Sequence, residues 1–264
     1  MDYNTILRAC KASRLSYFNE LQKNPIYRHD PLFFDRVTDV QFFSDPVTDA
    51  QCVCMRDPEN NTVYVAFRGT SSRRDILVDL WIQKAPFPFF TPEDQKKYKD
   101  VKIHRGFLCQ YLSLRDEILT YILRFQSSVK KVVFTGHSLG GALSSIASLD
   151  ATFTVPAIQV AHVSFGSPRV GNRPWSKLYN IRVNGLRVIH DDDPVTRIPT
   201  SLRWSHCGNV LLIRGHKVTM NPLRFNGWAA RCSQLSDHKL SEYLTDVERL
   251  REKITSVLYG EHSI

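Results

Sequence analysis

The chain has 264 residues, of which 42% are hydrophobic and 23% charged, and its formal net charge is +9. This length and composition are typical of one globular domain with a large core, and they exclude a disordered or fibrous chain. No apolar run approaches the roughly 20 residues that cross a bilayer. The basic residues are scattered along the chain, so the sequence predicts no nucleic-acid partner, and the charge gives a weak preference for anionic membrane surfaces.

The start of the sequence, residues 1–5, shows no basic flank leading into an apolar stretch of signal-peptide length. We therefore expect an intracellular protein, either cytoplasmic or peripheral to a membrane. The six cysteines are then expected to be reduced thiols that behave as small buried apolar groups. Their spacings match no zinc site, and no metal or cofactor is predicted.

Apolar and turn residues alternate along the chain in a way that predicts an α/β protein. Helices are predicted at residues 4–22, at 108–126, after Gly136 to about Asp150, and at a closing helix with Leu240, Leu244, Val247 and Leu250. Strands are predicted at 51–56, 62–67, 131–135, 159–165, 186–190 and 209–213. Neither repeats nor linkers separate these elements. We expect one domain over residues 1–264, with a mostly parallel central sheet covered by helices on both faces.

The segment Gly136-His137-Ser138-Leu139-Gly140 matches the pattern G-x-S-x-G and lies between a predicted strand and a predicted helix. In this context the pattern indicates a nucleophile elbow, a strained turn that projects a serine hydroxyl above the sheet. Glycines two positions on either side avoid collisions with the neighbouring chain. Ser138 is therefore the predicted nucleophile.

A serine hydroxyl needs a histidine base held by a carboxylate, and α/β-hydrolases carry these groups in the order Ser, acid, His. Asp191, Asp192 and Asp193 follow a predicted strand, where a loop can present a carboxylate. Asp193 is favoured because the adjacent Pro194 stiffens the loop.

Four histidines follow the acid: His206, His216, His238 and His262. His262 lies at the chain end, where residues fray, and His216 follows Gly215 in a basic loop. His238 begins the last helix, and His206 lies beside a strand. Position alone favours His238 over His206 and leaves both open.

Seven segments in order resemble the class 3 lipases, the fungal-lipase-like α/β-hydrolases, over roughly residues 37–245. The segments are Phe67-Arg68-Gly69-Thr70, His104-Arg105-Gly106-Phe107, residues 136–143, residues 165–172, Asp193-Pro194-Val195, His206-Cys207-Gly208 and Asp237-His238. The resemblance implies an α/β-hydrolase fold with Asp193 as the acid and His238 as the base. It also implies an oxyanion hole formed by Thr70 and the backbone N–H of Leu139.

The resemblance further implies that residues about 71–90 form a lid over the site. Apolar residues alternate there with Arg73, Arg74, Asp75 and Asp79, and three phenylalanines follow. A mobile amphipathic lid suits binding at a lipid surface. The alternative is an ordinary helix docked permanently on the core.

The function that these predictions imply is hydrolysis of carboxylic esters of acylglycerols, in the manner of a triacylglycerol lipase. Phospholipase A, mono- or diacylglycerol lipase and soluble carboxylesterase activities remain alternatives, because the acyl pocket is not readable from the sequence. A non-catalytic lipase-like module is disfavoured, since all three triad residues are present. The predicted partners are a lipid ester and, peripherally, a lipid surface.

Overall fold

The computed structural model describes residues 1–17, 36–69, 83–222 and 235–260. Its strands are β1 (Thr38–Asp45), β2 (Ala50–Asp57), β3 (Thr62–Phe67), β4 (Lys84–Pro86), β5 (Lys102–His104), β6 (Lys131–His137), β7 (Gln159–Phe165), β8 (Asn184–His190), β9 (Asn209–Arg214) and β10 (Lys217–Met220). Its α-helices are α1 (Tyr3–Leu15), α2 (Pro92–Lys97), α3 (Arg105–Arg124), α4 (Leu139–Thr154), α5 (Arg173–Arg182), α6 (Leu240–Arg249) and α7 (Arg251–Tyr259). Two 3₁₀ helices lie at Pro194–Arg197 and Leu235–His238.

The central sheet has eight strands in the order β1-β2-β3-β6-β7-β8-β9-β10. The five strands from β3 to β9 pair in parallel, whereas β1, β2 and β10 add antiparallel edges. Because the middle strands are parallel, their carboxyl ends meet at one edge of the sheet, where the loops after β6, β7 and β8 emerge. The predicted mostly parallel sheet is confirmed.

Two cores lie on opposite faces of this sheet. Successive residues of β6 alternate between them, with Val132 and Phe134 facing one core and Val133 the other. Helices α3, α4 and α5 cover the first core, and α1, α6 and α7 cover the second. Each middle strand is buried on both sides, which explains its continuous apolar sequence.

The predicted elements differ from the observed ones mainly at their ends. Helix α1 ends at Leu15, and residues 18–22 of the predicted first helix lie outside the described residues. Helix α3 begins three residues earlier than predicted because His104 caps its N-terminus. The His104 Nδ1 accepts a hydrogen bond from the Phe107 N–H at 3.4 Å. The described cysteines are all free, and four of them are buried: Cys10, Cys52, Cys54 and Cys207.

The predicted lid at 71–90 falls in two parts. Residues 71–82 lie outside the described residues. Residues 84–86 form β4, which pairs with β5 as a separate two-stranded sheet. Phe87 and Phe90 are buried in the first core, with the Phe87 ring 5.5 Å from that of Trp175. The mobile lid therefore stays a prediction, and residues 84–90 are packed on the body of the protein. Among the helices of the described ranges, none is both long and apolar enough to span a bilayer.

Candidate active site

Ser138 occupies the turn between β6 and α4, with φ 58° and ψ −126°. A non-glycine residue rarely adopts positive φ, and the surrounding chain must hold it there. The flanking glycines make the turn possible. A Cβ at Gly136 would lie 2.3 Å from the Gly140 carbonyl, and one at Gly140 would lie 2.1 Å from the Phe67 carbonyl oxygen. Steric need thus accounts for both glycines of the motif.

The Ser138 hydroxyl is buried without a hydrogen-bond partner among the described residues. The residue is 1% exposed, and its backbone N–H donates to the Phe165 carbonyl at 2.9 Å. That bond ties the elbow to the end of β7 and fixes where the side chain lies. The hydroxyl is therefore a buried polar group at the carboxyl edge of the sheet with its bonding capacity unused.

The structure brings His238 and Asp193 together: His238 Nδ1 lies 2.8 Å from Asp193 Oδ2, and both side chains are buried. The carboxylate can only accept, so Nδ1 carries the proton and Nε2 keeps a lone pair. His238 Nε2, like the Ser138 hydroxyl, is a buried atom without a partner in the described part of the chain. A histidine in this tautomer is ready to take a proton through Nε2.

Two further hydrogen bonds fix the Asp193 carboxylate. Its Oδ2 accepts a hydrogen bond from the Tyr243 hydroxyl at 2.6 Å, and its Oδ1 accepts one from the Val195 N–H at 2.8 Å. Burial and the Asp193 charge raise the pKa of Tyr243, so its hydroxyl keeps the proton that it donates. Gly166, with φ +60°, makes room for the group, since a Cβ there would lie 2.5 Å from Asp193 Oδ2.

His137, the second residue of the elbow motif, holds the backbone of His238. Its Nε2 lies 2.8 Å from the His238 carbonyl oxygen and its Nδ1 lies 2.7 Å from the Tyr17 hydroxyl. Since a carbonyl only accepts, His137 donates through Nε2, and Tyr17 donates to Nδ1. Burial, and after it the nearby His238, lowers the pKa of His137 well below its ordinary value. His137 therefore stays neutral, with its ring centroid 4.5 Å from that of His238.

A second histidine, His190, supports the same turn from the other side. Its Nδ1 lies 3.2 Å from the Asp237 carbonyl oxygen, and its Nε2 lies 3.1 Å from Asp246 Oδ2 on α6. The sequence analysis assigned no role to His137, Tyr17 or His190. Their partners are 47–120 residues away along the chain, and only the fold brings them together.

The other candidates from the sequence have structural roles. Asp192 pairs with Arg197 at 2.7 Å and Arg214 at 2.9 Å, and Asp191 accepts a hydrogen bond from the Gly215 N–H at 3.0 Å. His206 is directed at the Thr196 carbonyl oxygen, 2.6 Å from its Nε2. Burial, aided by the charges of two arginines, lowers its pKa well below the ordinary value. Of the three aspartates, only Asp193 contacts His238.

The predicted oxyanion hole is described only in part. Leu139 is the first residue of α4, so its backbone N–H has no acceptor within the helix. Thr70 lies outside the described residues. The neighbouring Gly69 passes close to the elbow, since a Cβ there would lie 2.7 Å from the His137 carbonyl oxygen and 3.2 Å from Ser138 Cβ. Within the described ranges no three His, Cys, Asp or Glu side chains cluster as metal ligands would.

The sheet order, the elbow and the Ser138, His238 and Asp193 arrangement define an α/β-hydrolase. Residues 64–202, more than half of the chain, match the model of the family described as Lipase (class 3). The chain belongs to the class 3 lipase family.

Known lipases resemble this chain in sequence and in fold. A lipase of Rhizopus oryzae is 30% identical over 165 residues, which cover 60% of this chain and 40% of that protein. A secreted mono- and diacylglycerol lipase of Gibberella zeae is 29% identical over 178 residues, which cover 58% of this chain and 43% of that protein. The chain thus matches less than half the length of these relatives. The structure of the Rhizomucor miehei triacylglyceride lipase superposes with a TM-score of 0.74 at 20% identity, covering 89% of this chain and 91% of that one, and it shows the fold.

The expected intracellular location is contradicted by these relatives. The Gibberella zeae protein is named a secreted lipase, as is a relative from Penicillium camembertii. The expectation came from the composition of residues 1–5 alone, and five residues do not determine a compartment. The inference of reduced thiols from an intracellular location loses its basis as well.

Proposed function

We propose that this chain is a serine hydrolase that cleaves carboxylic ester bonds of acylglycerols with Ser138, His238 and Asp193 as its triad. The observation that carries the proposal is the state of His238. Asp193 fixes its Nδ1 proton, and its Nε2 is buried and unpaired at the same sheet edge as the unpaired Ser138 hydroxyl. A general base in that tautomer beside a strained serine is the arrangement that acyl transfer requires.

The mechanism follows from these positions in two steps. His238 Nε2 takes the Ser138 proton as Oγ attacks the ester carbonyl, and the imidazolium that forms is stabilised by Asp193. His238 then gives that proton to the departing alcohol oxygen, which leaves an acyl-serine ester. Water attacks the acyl-enzyme by the same route in reverse, releasing a carboxylic acid and restoring Ser138.

The Leu139 N–H is the proposed oxyanion donor within the described residues, with Thr70 as the second. The α4 N-terminus favours negative charge through its dipole, and Leu139 provides a donor that the helix does not use. Loss of one such donor raises the barrier by about 2.7–4 kcal/mol in enzymes of this type.

The proposed substrate is an acylglycerol presented at a lipid surface, with no nucleic-acid partner. Mono- or diacylglycerol lipase activity is the second candidate, favoured by the Gibberella zeae relative of that name. We further propose one domain over residues 1–264, because the two described cores share a single sheet. A lid is proposed for residues 71–82, since residues 84–90 are paired or packed.

Turnover of a soluble short-chain p-nitrophenyl ester and of emulsified tri-, di- and monoacylglycerol tests the proposal, with Ser138→Ala compared with Ser167→Ala. Ser167 is a buried serine of the next loop whose hydroxyl faces the Pro168 carbonyl, so it controls for loss of a buried hydroxyl. We expect Ser138→Ala to lose turnover by about 10⁴-fold or more, and Ser167→Ala to keep it. A wild-type protein inactive on every ester would favour the non-catalytic lipase-like module.

A further inference from the structure

Three cations, Lys84, Lys102 and Arg203, lie near one another on the β4–β5 hairpin and the turn before Trp204. Lys84 Nζ donates to the Arg203 carbonyl oxygen at 2.6 Å and lies 4.8 Å from the Trp204 ring centroid. In the β4–β5 hairpin Lys84 is opposite His104, and Lys102 is two residues before His104, so Lys84 and Lys102 lie on one face. Burial, and then the charges of Arg203 and Lys102, lowers the pKa of Lys84, as expected for an ammonium group close to two other cations.

These charges have no acidic partner among the residues that the structure describes. In the ranges that the structure describes, none of Lys84, Lys102 and Arg203 forms an ion pair with a carboxylate. Lys102 and Arg203 are exposed. Three adjacent like charges raise the free energy of the folded protein in water, and a bound anionic partner would relieve that repulsion.

An apolar side chain stands at the tip of the same turn. Leu202 is 94% exposed, the highest value among the large hydrophobic residues of the described chain. An isolated exposed leucine needs no explanation by itself. Leu202 directly precedes Arg203, whose carbonyl accepts the Lys84 hydrogen bond, so an exposed apolar side chain stands next to the basic cluster. Apolar and basic side chains together are typical of proteins that insert into a charged membrane surface.

The patch lies at the edge of the sheet that carries the proposed triad. The turn that bears Leu202 follows the loop that begins at Asp193, after the carboxyl end of β8. A hydrogen bond links β5 to the loop after β7: the N–H of His104, the last residue of β5, donates to the Val170 carbonyl at 2.9 Å. From β5 the chain enters α3, which leads to the amino end of β6. The hairpin therefore stands at the carboxyl edge.

We propose that Lys84, Lys102, Leu202 and Arg203 form a docking surface for an anionic phospholipid bilayer, which rests on the proposed function for its link to lipid. We call this surface the basic tip. Its three cations contact headgroup phosphates, while Leu202 enters the boundary between headgroups and acyl chains. The exposed leucine selects a lipid surface over free phosphate, since free phosphate gains nothing from an apolar side chain. Docking here turns the carboxyl edge of the sheet toward the membrane.

Co-sedimentation with phosphatidylcholine vesicles, with and without phosphatidylglycerol, tests the proposal. The Ser138→Ala protein is used so that the lipid is not consumed. The basic-tip variants are Lys102→Glu/Arg203→Glu and Leu202→Ser. Their matched controls are Lys130→Glu/Lys177→Glu, which changes the same charge on exposed lysines, and Ile181→Ser, at a residue 83% exposed. Lys130 directly precedes β6 and so lies at the opposite, amino edge of the sheet.

We expect phosphatidylglycerol to strengthen binding and salt to weaken it. Each cation near an anionic membrane contributes about fivefold in affinity, so Lys102→Glu/Arg203→Glu is expected to bind about 25-fold more weakly or worse. Leu202→Ser is expected to weaken binding at every lipid composition. Both control variants are expected to bind within about twofold of the parent, because Lys130 lies at the opposite edge and Lys177 and Ile181 lie on α5, outside the basic tip.

Three results would overturn the proposal. Equal losses in the two charge variants would show that only net charge matters, and equal binding to both vesicle types would remove the role of the cations. Competition by inorganic phosphate without vesicle binding would identify a free-anion site instead. Turnover of a soluble short ester, measured with Ser138 intact, keeps the two proposals apart. Basic-tip variants that lose vesicle binding should keep this turnover, whereas a wild-type protein that binds vesicles yet hydrolyses no ester contradicts the proposed function alone.

Discussion

His137 Nε2 donates a hydrogen bond to the main-chain carbonyl of His238 across 2.8 Å, although 101 residues separate them. The nucleophile elbow thus holds the base through the residue that directly precedes the nucleophile. The Tyr17 hydroxyl lies 2.7 Å from the other nitrogen of the His137 ring, so the turn after helix α1 and the elbow together position His238 above the sheet.

His137→Ala is expected to lower kcat by about tenfold to hundredfold, because a buried carbonyl left unpaired costs about 1–3 kcal/mol and His238 shifts. His137→Gln keeps a side-chain N–H near the position of Nε2, and we expect it to restore most of the activity. The measurement is kcat on a soluble ester, with thermal unfolding to confirm folding. Equal losses in the two variants would show that the hydrogen bond to His238 does not matter.

Tyr243→Phe removes one of the hydrogen bonds that fix Asp193. We expect kcat/KM to fall by about tenfold, since the carboxylate keeps its Val195 and His238 partners but loses a bond worth about 1–2 kcal/mol. The matched control is Tyr179→Phe, which loses a comparable buried hydroxyl at 2.6 Å from His162 Nδ1. Both variants should lose stability, and only Tyr243→Phe should lose activity. Equal losses of activity would mean that destabilisation alone explains the effect.

The sequence is sufficient to predict the elbow turn and the parallel middle strands because their causes are local. The glycines of the elbow are required by contacts within a few residues of Ser138, except for the approach of Gly140 to Phe67. The strands from β6 to β9 carry runs of buried residues that reveal them directly. Some missed elements are short or polar: β4 and β5 have three residues each, and α2 has no buried residue. The sequence analysis also missed β1, β10, α5 and α7.

Local sequence does not decide whether His206 or His238 is the base. Each follows a loop, with His238 buried and His206 half-buried, so what distinguishes them is the group that each ring contacts. His238 meets Asp193, 45 residues away, whereas His206 meets the Thr196 carbonyl, ten residues away. The family resemblance selected His238 because it encodes that tertiary pairing. The roles of His137, Tyr17 and His190 depend on equally distant contacts and required the fold.

His104 is expected to make folding less favourable in acid. Burial lowers its pKa from 6.5 to about 4. Between these values the unfolded chain binds a proton that the folded protein does not, so the free energy of unfolding falls as pH falls from 6.5 toward 4. One such group contributes a slope of at most about 1.4 kcal/mol per pH unit.

His104→Asn removes this titration and keeps an acceptor for the Phe107 N–H at the start of α3. Urea unfolding at several pH values should show a smaller loss of stability in acid for His104→Asn than for the wild type. A residual slope is expected from His137, His162 and His206, whose pKa values are also lowered by burial. Parallel curves for the two proteins would show that His104 is not held neutral.

Gly166→Ala tests whether the space beside Asp193 and His238 is needed. An alanine Cβ at this position would lie 2.5 Å from Asp193 Oδ2 and 3.1 Å from His238 Cε1, and it would also be strained by the φ of +60°. The control is Gly215→Ala, which has a similar φ of +54° and no atom within 4 Å of the added Cβ.

Both alanines should lower stability by about 1 kcal/mol or more through the backbone. Only Gly166→Ala should displace the carboxylate and the imidazole, and we expect its kcat on a soluble ester to fall by more than about hundredfold, because a misplacement of about 1 Å has that effect. If Gly166→Ala kept the activity of Gly215→Ala, the exact placement of Asp193 against His238 would not limit the reaction.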